Sequence, residues 1–181
     1  MRKLILASLI QLMVLSYGNA QKFEMDTLQF NGNVDKHINI VIMGDGYTAS
    51  EQDNFIGAAT NLSNYLFTQS PWSNYKNYFN IFAIRVISAQ SGAKHPNTSS
   101  DCGTAYPLVS FSNPNTYFGS SFDSYGIHRL IVPANITNIV KVISTNFPNY
   151  DEVLIIANTP YYGGSGGNVS TSTIEKSSPE I

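Results

Sequence analysis

Residues 38–43, with the sequence INIVIM, constrain the fold of this chain more than any other feature. Apart from Asn39 the run is apolar and mostly β-branched, and a glycine follows it. A short, continuous apolar run of this kind predicts a strand that is covered on both faces. The chain must therefore supply packing layers on both sides of its sheet.

Four further segments are predicted as strands. An imperfect alternation at residues 23–30 indicates a short edge strand, and apolar runs at residues 81–87, 129–132 and 153–157 indicate buried strands. Residues 88–121 are rich in Gly, Pro, Ser and Asn and show little periodicity. A segment this long without regular structure is typical of a functional or mobile loop.

Two helices are predicted between these strands. Thr48 and Glu51 form a capping box, and the apolar stripe behind them predicts an amphipathic helix over residues 49–68. Asn135 is the predicted N-cap of a second helix. The apolar stripe of that helix is formed by Ile136, Ile139, Val140, Ile143 and Phe147. The order of elements predicts an α/β fold, a mainly parallel sheet flanked by helices, with residues 21–181 as a single domain.

The first 20 residues have the pattern of a cleavable secretory signal peptide. Arg2 and Lys3 supply a basic start, residues 4–15 are nearly all apolar, and small residues end the segment at Ala20. The apolar run is too short to cross a membrane, and no later segment is long enough. We therefore expect a secreted protein without a membrane span; an uncleaved anchor is the rival interpretation.

Charge and cysteine content exclude some partners. Only 12% of the residues are charged and the formal net charge is −2, with no cluster of basic residues. This composition argues against nucleic acid or an anionic membrane as the partner. Cys102 is the single cysteine, so no disulfide can form within the chain. It is either a buried thiol or half of a bridge to another chain.

The turn after residues 38–43 matches the dinucleotide-binding fingerprint G-x-G-x-x-A at residues 44–49. Asp45, however, would place a carboxylate beside the pyrophosphate. A metal-binding D-x-S-x-S site is also incomplete, because Tyr47 and Ala49 stand where hydroxyls are needed. The favoured interpretation is a tight turn in which Asp45 accepts hydrogen bonds from nearby amides.

The remaining candidates for catalysis are incomplete in sequence. Ser165 lies in a G-x-S-x-G pattern, but no helix is predicted after it and no histidine follows His128. His37, His95 and His128 lack the spacing of a zinc helix, and none belongs to a Cys/His cluster in the sequence. We expect His128 to be structural and His95 to be solvated. No complete catalytic or metal-ligating constellation is predicted in this chain.

Three stretches carry a resemblance to a known family. The segment INIVIMGDGYTASEQDNF, the strand NIFAIRVIS with the Ser-Gly turn that follows, and the tail YYGGSGG…SSPEI resemble the IgA-specific metalloendopeptidase family of secreted bacterial zinc peptidases. The resemblance covers residues 38–181. It implies a zincin-like N-terminal subdomain, a protein or peptide substrate, and Zn²⁺ as the cofactor of the complete enzyme.

In that family a segment like SSPEI leads into a helix with the sequence H-E-x-x-H, which binds zinc and supplies a general base. Ser178 is typical of an N-cap, yet the chain has no such motif. We therefore expect an N-terminal fragment that binds no zinc and is inactive as given. From the resemblance we expect the sequence to be truncated before this helix rather than to end there naturally.

The resemblance also implies a place for the substrate. Zinc peptidases of this kind line the cleft with an edge strand to which the substrate backbone adds. Tyr161, Tyr162, Gly163 and Gly164 stand where that strand is expected, and they are the candidate substrate-binding residues. A simple glycine-rich connector is the alternative. At the level of function, the alternatives are an exported non-catalytic binding or adhesion module and a degenerate enzyme.

Overall fold

A six-stranded sheet forms the centre of the protein in the computed structural model, which describes residues 21–102 and 110–174. Its strands are β1 (Met25–Gln29), β2 (Ile38–Asp45), β3 (Phe79–Ile84), β4 (Glu152–Ala157), β5 (Gly164–Ser165) and β6 (Ser170–Thr173). Their order across the sheet is β1-β3-β2-β4-β6-β5. The inner pairs are parallel, whereas β1 and β5 at the two edges run antiparallel to their neighbours. The α/β class is therefore confirmed, with a sheet that is mixed but mostly parallel.

Strand β2 lies in the middle of the sheet and is covered on both faces, as the INIVIM run predicts. Val41 and Met43 enter one core, and Ile42 enters the core on the opposite face. Asn39 is the one polar residue of this run, and it is only 1% exposed. Its amide donates to the carbonyl oxygens of Val34 and Asn149, at 2.8 Å and 3.0 Å. These bonds explain why a polar residue is tolerated there, because a buried amide without partners would cost about 1–3 kcal/mol.

The two predicted helices cover the two faces. A 3₁₀ turn at Ala49–Glu51 leads into α1 (Gln52–Leu66), and both bonds of the capping box between Thr48 and Glu51 are present. Helix α1 packs on the core that contains Ile42. A short helix α2 (Trp72–Tyr75) follows it, and α3 (Ile136–Asn146) covers the other face.

Helix α3 begins where the sequence predicts, but its buried stripe is different. The side chain of Asn135 accepts from the backbone N–H of Asn138 at 3.4 Å, which confirms the N-cap. Ile139 and Ile143 are buried as predicted. Ile136 and Val140, by contrast, are 50% and 57% exposed, so their assignment to the core is wrong. Val142 packs there instead, because the sheet contacts a face rotated from the one with most apolar residues.

The prediction of a buried strand at residues 129–132 is wrong. These residues form single bridges only, from Leu130 to Gly164 and from Val132 to Ser121. Ile131 is nevertheless fully buried, in a small core with Phe122. The apolar run thus reflects burial without sheet pairing, which periodicity alone does not distinguish.

Two expectations lie outside the described residues: the signal peptide at residues 1–20 and the helix start at Ser178. Within residues 88–101 and 110–121, the chain forms neither a helix nor a strand of the sheet, as predicted. A search of the described residues for a helix long and apolar enough to cross a bilayer finds none.

Candidate functional site

The glycine-rich segment after β4 forms one end of the sheet. Strand β5 pairs antiparallel with β6, with Gly164 opposite Ser172. On its other side, the N–H of Gly164 donates to the carbonyl of Arg129 at 3.1 Å. Strand β5 is therefore an edge strand that is already bonded at Gly164. Ser165 belongs to this strand and is followed by no helix, so the described geometry lacks a nucleophile elbow.

The positions of this segment are occupied by glycine for different structural reasons. A Cβ atom on Gly163 would lie 2.5 Å from Cε1 of Phe122 and 2.8 Å from the carbonyl oxygen of Arg129. Gly163 is thus required by internal packing. Beside Gly166 and Gly167 a Cβ atom would meet nothing within 4 Å. The open part of the segment therefore lies two and three residues beyond Gly164, the last of the predicted substrate-binding glycines.

The two tyrosines of the segment are half-buried. Tyr161 packs on the small core of Phe122 and Ile131, and its ring lies edge-on to His95 with 5.1 Å between the centroids. Its backbone N–H faces the hydroxyl of Thr159 at 3.4 Å. Tyr161 therefore has an internal packing role whether or not a substrate binds beside it.

Asp45, at the end of β2, holds the irregular segment of residues 88–121, which we call the excursion, against the sheet. Its carboxylate is fully buried and accepts from the N–H groups of Phe118 and Ser120 at 2.9 Å and 2.8 Å. The hydroxyl of Thr116 donates to the same carboxylate at 3.1 Å. The predicted structural role is confirmed, although the amides come from residues more than 70 positions away in sequence. Gly46 beside it has a positive φ of 78°, as the tight turn requires.

A cluster of three chemically active side chains lies within the irregular part of the chain. Sγ of Cys102 is 3.2 Å from Nδ1 of His128 and 3.4 Å from Oδ1 of Asp123. Nδ1 of His128 lies 2.6 Å from the same carboxylate oxygen. The three atoms converge on one point, so the cluster is not a relay in which the imidazole uses a different nitrogen for each partner. We call these residues the Cys–Asp–His cluster.

The environment of the cluster sets its charge. Burial raises the pKa of Asp123, but hydrogen bonds from the N–H of Thr98 and from His128 and Cys102 outweigh it, so the pKa is lowered overall. Burial, and next the hydrogen bond to Asp123, raise the pKa of the Cys102 thiol. The cluster therefore holds a carboxylate beside a protonated thiol at neutral pH.

His95 lies next to the cluster and is 2% exposed, so the expectation that it is solvated is wrong. It stacks on Phe122 at 4.0 Å, and its centroid is 6.5 Å from that of His128. Burial lowers its pKa to about 4, with the charge of His128 adding to the shift and Asp123 opposing it. Among the residues that the structure describes, its Nδ1 has no hydrogen-bond partner. Sequence spacing carried no signal for this burial.

The cluster is not predicted from the sequence because its three residues are far apart in the chain. Cys102 precedes Asp123 by 21 positions and His128 by 26 positions, which matches no common metal or catalytic motif. Only the folding of the excursion brings them together. Of the two alternatives predicted for Cys102, a buried thiol or half of a bridge to another chain, the structure is nearer the first, with a free, half-buried thiol.

The residues present do not fit the catalytic zinc site of a peptidase. That site uses two imidazoles from H-E-x-x-H, and the chain contains no such sequence. The Cys–Asp–His cluster brings one imidazole together with a thiol and a carboxylate. The Cys–Asp–His cluster is therefore not the catalytic zinc site of a peptidase.

These observations define the class of the protein: an α/β domain with a mostly parallel sheet and an antiparallel glycine-rich edge hairpin, in which the described residues assemble no catalytic zinc set. A family model described as IgA Peptidase M64 matches residues 27–178. The chain therefore belongs to the IgA peptidase M64 family, and the resemblance found in the sequence is confirmed. No curated protein sequence matches the chain. The family implies a metallopeptidase with a protein substrate.

Proposed function

We propose that this chain is the N-terminal part of a secreted zinc-dependent metalloendopeptidase that hydrolyses peptide bonds in proteins. The observation that carries the proposal is the family match over residues 27–178. The zinc ligands, in this proposal, come from residues outside positions 1–181. What this chain contributes is the substrate side of the cleft.

The edge hairpin supports a role in substrate binding. An edge strand exposes unpaired backbone groups to which an extended peptide can add as another strand. Strand β5 ends the sheet, and Gly166 next to it has open space where a side chain would stand. We propose that Tyr161, Tyr162, Gly163 and Gly164 border the substrate, with Tyr162 forming part of a subsite.

The first test is genetic. Reading the coding sequence past the codon for Ile181 should reveal an H-E-x-x-H motif within about one helix length. A reading frame that continues without paired imidazoles would refute the peptidase assignment. The protein encoded by the full frame should then cleave an unstructured protein substrate, and a chelator should abolish the cleavage.

The second test addresses the substrate-binding residues. Tyr162→Ala should raise KM about fivefold while kcat stays unchanged, since one lost aromatic contact costs roughly 1 kcal/mol. Tyr78→Ala is the matched control, because Tyr78 is 61% exposed and lies at the opposite side of the sheet. Equal kinetics for both variants would leave the segment as a connector.

An exported binding module is the second candidate function. It is favoured by two aromatic side chains of the excursion and the turn after it, Phe111 and Tyr125, which are 69% and 88% exposed. A stop codon directly after Ile181, together with a partner whose binding is lost on Phe111→Ser, would support this candidate instead.

A further inference from the structure

We propose that Cys102, Asp123 and His128 form a zinc-binding site, separate from the catalytic zinc of a peptidase, that clips Cys102 of the irregular excursion to the turn that follows the excursion. The first argument is the identity of the donors. A thiolate, an imidazole and a carboxylate are all zinc ligands, and the sulfur donor disfavours magnesium and calcium. The donor atoms all lie within 4.8 Å of one another.

The distances fit a tetrahedral ion. With ordinary zinc–ligand bond lengths, neighbouring donors on a tetrahedron lie about 3.3–3.6 Å apart. The cluster has 3.2 Å between Sγ and Nδ1 and 3.4 Å between Sγ and Oδ1. Only the separation of 2.6 Å between Nδ1 and Oδ1 has to widen, by roughly 0.7 Å. Three protein ligands leave the fourth position for water.

The proton balance is also consistent with a metal. Without an ion, Sγ–H and Nδ1–H both donate to Oδ1 of Asp123. Zinc would replace both protons at the centre of the cluster: the thiol proton is released to solvent, and the imidazole carries its proton on Nε2 instead. Each donor then directs a lone pair at the ion.

The surroundings hold the donors in place. The side chain of Asp123 is 1% exposed and that of His128 is 10% exposed. The second oxygen of Asp123 accepts from the N–H of Thr98 at 2.7 Å, and the N–H of His128 donates to Asp101 at 3.0 Å. Ligands fixed by such bonds lose little freedom on binding, which favours a tight site. This network already joins residues 98–102 to residues 123–128.

Beside the cluster lies a second feature that its hydrogen bonds do not explain. His95 is 2% exposed and has an unpartnered Nδ1, and its ring packs near that of His128. An unbonded polar atom at this depth is costly and calls for an occupant or a nearby water. A hydrated ion in the cluster would bring such a water to this side of the small core.

A zinc ion at this site would stabilise the excursion. Residues 88–101 and 110–121 of the excursion form neither a helix nor a strand of the sheet, and a single cysteine cannot form an internal disulfide. A metal that binds the folded state and not the unfolded chain stabilises the fold by mass action. The site thus does for this loop what disulfides do in other exported domains.

The test uses cobalt as a spectroscopic substitute for zinc. The purified protein is stripped with a chelator, dialysed and titrated with Co²⁺ alone. We expect a sulfur-to-cobalt charge-transfer band, visible bands of a tetrahedral ion, and loss of both when Zn²⁺ is added. Cys102→Ser should remove the charge-transfer band, and His128→Gln should weaken Co²⁺ binding roughly tenfold or more.

His37→Gln is the matched control, since His37 bonds only within its own turn and lies outside the cluster. It should leave the band and the Co²⁺ affinity unchanged. Zn²⁺ should also raise the Tm of the wild type but not that of Cys102→Ser. If a cluster variant fails to fold by circular dichroism, the wild-type titration still decides the matter. Folded wild type without a charge-transfer band would overturn the proposal and leave a hydrogen-bonded cluster only.

The result of the cobalt titration does not depend on whether the protein is a peptidase. The H-E-x-x-H set of a catalytic site contains no sulfur, and Cys102 is the single cysteine of residues 1–181, so loss of the charge-transfer band in Cys102→Ser assigns the band to the Cys–Asp–His cluster. A protein without proteolytic activity can still show the band. A proteolytically active protein without it would refute this site alone.

Discussion

Replacing Asp45 by asparagine should destabilise the protein and release the excursion from the sheet. In the wild type, Oδ1 of Asp45 accepts from the N–H of Phe118, and Oδ2 accepts from the N–H of Ser120. An asparagine has the same shape, but one of its two terminal atoms is a donor. In either orientation of the amide, one buried backbone N–H therefore faces a donor instead of an acceptor.

The magnitude follows from these two bonds. A buried N–H that loses its partner costs about 1–3 kcal/mol, and hydrogen bonds to a charged group contribute more than neutral ones. Asp45 is fully buried, so water does not replace the lost acceptor. We expect a loss of about 2–4 kcal/mol, a large share of the ~5–15 kcal/mol that is typical of a domain.

Urea denaturation followed by circular dichroism measures the global effect, and hydrogen exchange measures the local one. The amides of Phe118 and Ser120 should exchange at least about 30-fold faster in Asp45→Asn, which corresponds to about 2 kcal/mol. Asp53→Asn is the control, because that carboxylate pairs with Arg85 but is 97% exposed, and its loss should cost at most about 0.5 kcal/mol. An Asp45→Asn variant within about 0.5 kcal/mol of the wild type, with both amides still protected, would refute this reasoning.

Two further predictions concern packing and pH. Gly163→Ala should destabilise the protein by about 1–3 kcal/mol, because the added methyl group overlaps the ring of Phe122, whereas Gly166→Ala should change the unfolding free energy by less than about 0.5 kcal/mol. Equal melting temperatures for the two variants would contradict this. Burial raises the pKa of Glu51, but hydrogen bonds from Thr48 and Ser91 outweigh it and lower the pKa overall. The stabilisation by this carboxylate is then complete above the unfolded pKa and is lost as the pH falls through the folded pKa. The stability difference between wild type and Glu51→Gln should therefore shrink between about pH 6 and about pH 3; a constant difference in urea denaturation would exclude the effect.

The irregular excursion connects these results. It is anchored to the end of β2 by Asp45, and the Cys–Asp–His cluster joins Cys102 to the turn that follows the excursion. Glu51 adds a third link, because its carboxylate accepts from the hydroxyl of Ser91 at 2.7 Å and from the amide of Asn158 at 3.2 Å. Buried and half-buried acidic side chains thus add to the backbone hydrogen bonds that order this long segment without regular structure. Because a buried acceptor has few alternative partners, such bonds specify one conformation of the loop.

The sequence by itself determined the elements whose signals are local. The INIVIM run became the central strand, the capping box of Thr48 and Glu51 started α1, and Asn135 started α3. Each of these signals depends on neighbouring residues, on a side-chain period or on a cap, and so needs no knowledge of the fold. The motifs of the family are local in the same sense, and they identified it correctly.

Only the tertiary structure decided what depends on contacts between distant residues. Residues 129–132 have the composition of a strand but pair through single bridges, and His95 lies in a polar segment yet is buried. The convergence of Cys102, Asp123 and His128 likewise arises from the path of the excursion. Strand pairing and burial are chosen by the free energy of the whole packed chain, and no short window of sequence contains that information.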